Sequence, residues 1–113
     1  MKHIDNELVV VVDVDGTLIK PDPNGTISLP YGSEIQKFSA IKVHVDLVKE
    51  YKKRGFYVIV WSMGGAAWAR GAVEALKLER FVDQTMCKPS KHVDDRDDVG
   101  SIIGTRVFIG EQK

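Results

Sequence analysis

The stretch Leu8-Val9-Val10-Val11-Val12-Asp13-Val14-Asp15-Gly16-Thr17 decides how the chain is read. Five consecutive apolar residues, four of them β-branched, predict a central parallel strand buried on both faces, because a solvated face would demand alternation with polar residues. The run stops at two carboxylates separated by one valine and followed by Gly-Thr. Open α/β sheets bind ligands outside the carboxyl ends of their strands, so this acidic end is the first place to look for chemistry. A turn at Asp15-Gly16 would let both carboxylates share one site.

Outward from that strand the pattern recurs. Residues 19–39 carry Pro21, Pro23, Gly25, Pro30 and Gly32, which excludes a long helix and predicts a turn-rich flap with a short hairpin around Asn24-Gly25. Over residues 40–54 apolar side chains return at Ile41, Val45 and Val48 and at Val43, Leu47 and Tyr51, a helical period stopped by Gly55. Phe56-Tyr57-Val58-Ile59-Val60-Trp61 predicts a second buried strand, Gly64-Gly65 a turn, and residues 66–78 a second helix. Three shorter pieces, Thr85-Met86-Cys87, His92-Val93 and Arg106-Val107-Phe108-Ile109, predict further strands. The expected architecture is one α/β domain over residues 1–113, a single doubly wound, Rossmann-like parallel sheet of about five strands with helices on both faces.

Composition removes other classes. With 43% hydrophobic and 28% charged residues the chain has the make-up of a folded globular domain. Sixteen basic residues balance sixteen acidic ones, so no net field draws it to nucleic acid or an anionic membrane. The longest apolar run is too short to span a bilayer. The lone Cys87 has no intramolecular disulfide partner, and Met1-Lys2-His3 leads straight into the valine strand, so a cytoplasmic location is expected.

The strand ends carry the chemistry. The first closes in Asp13-Val14-Asp15-Gly16-Thr17, the second in Ser62, the third in Lys88-Pro89, and the fourth in Asp94-Asp95, with Asp97 and Asp98 behind. Taken in order, these four groups resemble the motifs of the haloacid dehalogenase (HAD) superfamily of phosphohydrolases, and the resemblance covers nearly the whole chain. A paired Asp-Asp and a spaced Asp-x-x-x-Asp both occur in such families; Asp94 with Asp95 fits the first form and Asp94 with Asp98 the second.

The resemblance implies a phosphomonoester hydrolase that works through an aspartyl-phosphate on Asp13, with Asp15 as general acid and base. It implies Mg²⁺ held by Asp13, the Asp15 carbonyl and Asp94, since a carboxylate approaching a phosphate dianion meets about 4 kcal/mol of repulsion per charge pair at 4 Å. Lys88 would offset the remaining charge. Ser62 and the N–H groups of Met63 and Gly64 would hold phosphate oxygens, and Thr17, Asp95 and Asp98 would support the inner residues. It also implies a capless member, with a phosphorylated substrate reaching an open site or one lidded by a second copy of the chain.

The same residues have plainer readings. Asp-Gly after a strand is commonly a turn, Ser62 could cap a helix, and Lys88 and Asp97 could be solvated. His44 lies on the helix beside Ile41 and Val48, and His3 and His92 have no partner at metal-ligand spacing, so zinc is not expected; Cys87 is read as a packing cysteine, and Trp61 and Trp68 as core or partly buried residues rather than a base-stacking platform. Competing functions with these motifs are a phosphotransferase or mutase, a receiver-like domain, and a non-catalytic phosphate-binding module. A receiver needs a separate phosphoacceptor aspartate near mid-chain, where this chain has Val58-Ile59-Val60-Trp61-Ser62.

Overall fold

A computed structural model describes residues 8–95 and Val107. In chain order its elements are β1 (Val9–Asp13), β2 (Ile19–Pro21), β3 (Ile27–Tyr31), β4 (Glu34–Ala40), α1 (Lys42–Lys53), β5 (Tyr57–Ser62), α2 (Ala66–Ala75) and β6 (Gln84–Cys87). They form two separate three-stranded sheets. One is parallel, in the order β1-β5-β6; the other is antiparallel, in the order β2-β4-β3.

This architecture overturns the expectation of a five-stranded doubly wound sheet. Among the described residues the chain steps from β1 to β5 to β6 in one direction, without the reversal of strand order that double winding requires. His92-Val93 is irregular and Val93 is fully exposed, because two apolar residues in a polar context bury too little to hold a ladder. Residues 106–109, read as a last strand, lie outside the described residues except for Val107.

The parallel sheet is packed chiefly on one face. Val58 and Val60 of β5 are fully buried, while the alternating Tyr57, Ile59 and Trp61 are half-buried. Val45 and Val48 of α1 and Ala69, Ala72 and Val73 of α2 share one core with Val58 and Val60, against which Val10 and Val12 of β1 pack. Among the described residues both helices share this one core, as expected when right-handed crossovers step in one direction. β1 likewise departs from burial on both faces, with Val9 half exposed and Val10 to Asp13 half-buried.

The segment expected to be a turn-rich loop is the antiparallel sheet. Its hairpin turn is not at Asn24-Gly25. Tyr31 pairs with Glu34 across the two-residue loop Gly32-Ser33, where Gly32 takes φ +65° at the first central position, the conformation that a Gly-X hairpin turn requires. Asn24-Gly25 instead connects β2 to β3, and a Cβ at Gly25 would collide with the Phe38 carbonyl. Leu29 and Phe38 are buried in the common core, so this sheet is fastened to α2. The segment read as a flap is thus a three-stranded sheet rather than a loop with one short hairpin. No helix among the described residues is long and apolar enough to cross a membrane.

Candidate active site

The carboxyl edge of the parallel sheet gathers most of the residues singled out by sequence. Asp13 ends β1 opposite Trp61, and Ser62 ends β5 opposite Cys87, so the strands finish nearly level. Lys88 follows β6, its N–H donating to the Ser62 carbonyl at 2.9 Å. Three strand ends are thereby joined.

After Asp13 the backbone folds sharply. The Val14 carbonyl accepts from the N–H groups of Thr17, Leu18 and Ile19 at 3.2, 2.8 and 3.2 Å, and Gly16 donates to the Ile19 carbonyl at 2.9 Å. Gly16 has φ +79°, which a side chain would strain. Val14, Leu18 and Ile19 are wholly buried and anchor the turn. Thr17 acts through its backbone, its carbonyl accepting from His44 Nδ1 at 2.8 Å, which fixes the proton on that nitrogen. His44 is buried, and it braces the turn that carries Asp15.

Asp15 is directed across the sheet edge. Trp68 Nε1–H donates to both its oxygens, at 3.2 and 3.3 Å, and the Ser62 hydroxyl reaches Oδ2 at 3.4 Å. Ser62 Oγ itself accepts from the Gly64 N–H at 2.9 Å. The Gly64 amide and Ser62, expected to face a phosphate, are therefore engaged with each other, and the Ser62 hydroxyl also with Asp15. Gly64 also leaves space for an aromatic ring, since a Cβ there would stand 3.1 Å from Trp68 Cδ1. Met63 is largely exposed beside them.

The electrostatics single out Asp13. It is half-buried, and that burial raises its carboxyl above the ordinary carboxylate range; Lys88 opposes the rise and Asp15 adds to it. Among the described residues no three His, Cys, Asp or Glu side chains are grouped closely enough to hold a metal ion. Asp94 and Asp95 are exposed, and Asp98 lies outside the described residues. Mg²⁺ is commonly held by one or two carboxylates with several waters and a substrate phosphate, so Asp13 and the Asp15 carbonyl on the same turn suit it without a preformed cluster.

A cleft of about 470 Å³ opens beside Asp15, lined by Asp15, Met63, Gly64 and Trp68 from the sheet edge and α2, and by Pro30, Tyr31 and Gly32 from the β3–β4 hairpin. Tyr31 meets Trp68 edge-on, with ring centroids 6.0 Å apart. The sequence reading missed Tyr31 and the contact between Trp68 and Asp15. Gly32-Ser33, a Gly-X pair between two strand-like runs, was the available signal for the hairpin tip. Nothing local announces a bond between residues 15 and 68. No protein-family profile and no characterised protein sequence matches the chain.

Proposed function

We propose that the chain is a phosphomonoester hydrolase of the HAD type, using Asp13 as nucleophile and Asp15 as the proton carrier. The observation that carries this reading is the placement on one turn, at the carboxyl edge of the parallel sheet, of Asp13, with the charge of Lys88 close enough to act on it, and of Asp15, whose carboxylate is oriented by the Trp68 N–H and the Ser62 hydroxyl.

In the first step an Asp13 oxygen bonds to phosphorus while the phosphorus–oxygen bond to the alcohol breaks. Asp15 gives its proton to the departing oxygen. In the second step water bonds to phosphorus and surrenders a proton to Asp15, and the bond from phosphorus to Asp13 breaks, releasing inorganic phosphate and the free carboxylate. Lys88 supplies fixed positive charge against the phosphoryl oxygens. Asp13 and the Asp15 carbonyl would hold Mg²⁺, with Asp94 as a further candidate, and the ion would neutralise phosphate charge.

The two roles of Asp15 separate by leaving group. Asp15→Asn should still release the phenol of an acidic aryl phosphate in a burst of about one equivalent per site, and then stall for want of a base. An alkyl phosphate, which needs the proton, should give no burst. Asp13→Asn should abolish the burst with either ester. Steady turnover of the aryl ester by Asp15→Asn at the wild-type rate would remove Asp15 from the mechanism.

A further inference from the structure

We propose that the cleft between the β3–β4 hairpin and α2 seats the leaving group of the substrate, and that this group is a flat, uncharged ring system carried on the esterified alcohol. The inference rests on the phosphatase reading and adds the substrate class. Its first premise is positional. A general acid must lie within hydrogen-bond reach of the oxygen that departs, so the alcohol portion occupies the space next to Asp15. That space is the cleft, since Asp15 forms part of its wall.

The second premise is the chemistry of the walls. Tyr31 from the hairpin tip, in edge contact with Trp68, contributes to the wall together with Met63. Tyr31 and Met63 are 63% and 71% exposed, and each would lose apolar surface to water-excluded contact with a ligand. Trp68 is tied at Nε1 to Asp15 and packs edge-on against Tyr31 and Phe38, with centroids 6.0 and 5.7 Å away. Its orientation is therefore set before a ligand arrives, and a preset aromatic wall loses little entropy on binding.

The third premise is charge. Among the described residues Asp15 is the only carboxylate in the lining, and no lysine or arginine joins it there. A second phosphate or a carboxylate on the leaving group would lie against Asp15, with no cation among the described lining residues to pair with it. Sugar bisphosphates and similar dianionic alcohols are disfavoured on that ground. A polyhydroxylated alcohol finds few polar partners among proline, glycine, methionine and aromatic side chains, whereas a ring stacks or meets edges readily. The volume of about 470 Å³ lies within the range that encloses such a group.

The test compares 2-phenylethyl phosphate with butyl phosphate, two alkyl esters of similar leaving-group acidity, so that chemistry cancels and the pocket is read. The wild-type protein should prefer the phenyl ester by about tenfold or more in kcat/KM. Tyr31→Ala should bring that ratio close to one, and Tyr31→Phe should restore it, which separates a lost ring from a damaged hairpin. Binding of 2-phenylethanol, followed by tryptophan fluorescence, should be detectable and should weaken in Tyr31→Ala. Hydrolysis of both esters at equal efficiency would overturn the leaving-group assignment while leaving the phosphatase reading intact. Binding of the alcohol with no hydrolysis of either ester would overturn the phosphatase reading and leave the ring site standing on its own. Neither binding nor preference would end the proposal.

Discussion

The two edges of the parallel sheet treat their aspartates in opposite ways. At the amino edge, just before β6, Asp83 receives Lys52 Nζ at 2.8 Å on both oxygens and the Val58 N–H at 2.7 Å. Those bonds hold its carboxyl below the usual range, the lysine hydrogen bond contributing most. At the carboxyl edge Asp13 is half-buried, and desolvation drives its carboxyl the other way, against the opposing pull of Lys88. The comparison teaches where stability and chemistry reside. Asp83 joins α1 to β5 and β6 and is satisfied in the folded chain, whereas burial disfavours the ionised form of Asp13 at the edge where the candidate site lies.

The strongest way to break that contrast is to exchange the losses. Asp13→Asn should lower phosphatase activity by about a thousandfold or more, since the amide cannot form the covalent intermediate. Asp83→Asn should leave kcat within about threefold, measured on the same ester. Equal collapse in both variants would mean that Asp83 positions the site. Lys88→Ala comes next, with an expected loss on the order of a hundredfold in kcat, in line with removal of one fixed charge-stabilising group. A loss confined to KM would reassign Lys88 to substrate capture.

Stability should move in opposite senses at the two edges. A carboxyl lowered by folding stabilises the native state above its ordinary range, and that contribution disappears as pH falls through the lowered value. Asp83→Asn should therefore cost about 1 kcal/mol at neutral pH, less at high salt because the pair is near the surface. A carboxyl raised by folding has the opposite linkage: its contribution is full below the ordinary value and is lost as pH rises through the raised one. Asp13→Asn should consequently melt above the wild type at neutral pH in excess chelator. Both differences should close in acid, where each carboxyl is protonated. A lower melting temperature for Asp13→Asn under those conditions would contradict the burial argument.

How much of this was legible depended on whether a signal was local. A valine run ending in Asp13, a mixed apolar run ending at Ser62 and a short one ending before Lys88 announced three strand ends, and the described parallel sheet consists of those three strands. Strand order is a different matter, because periodicity reports which residues are buried and not which strand lies beside which; the one-way order β1-β5-β6 was invisible to it. Within residues 19–39, Asn24-Gly25 was the stronger hairpin signal by composition. Yet Gly25 lacks a positive φ and serves a close approach to Phe38, while Gly32 supplies the turn. Asp15 was visible as a candidate acid, but its donors Ser62 and Trp68 come from positions 47 and 53 residues away, brought together only by packing.

Trp68 offers the finest test, because phenylalanine keeps most of its ring contacts and deletes one N–H. In the folded chain that N–H serves both oxygens of Asp15, with the Ser62 hydroxyl as the only other side-chain donor to it among the described residues. Donors to a carboxylate fix the direction of its oxygens. Asp15 must be aimed at the attacking water in the second step, whereas an acidic phenol leaves without its help in the first, so the deletion should weigh on hydrolysis of the intermediate more than on its formation. With an aryl phosphate, whose leaving group needs no proton, Trp68→Phe should slow the steady rate by about threefold to tenfold and uncover a burst absent from the wild type. A purely structural wall residue would slow both phases together or neither, and would leave no burst. Rapid-mixing measurement of phenol release distinguishes the cases. A steady rate reduced without any burst would place Trp68 in the cleft wall alone, and Asp15 would then rely on Ser62 for its orientation.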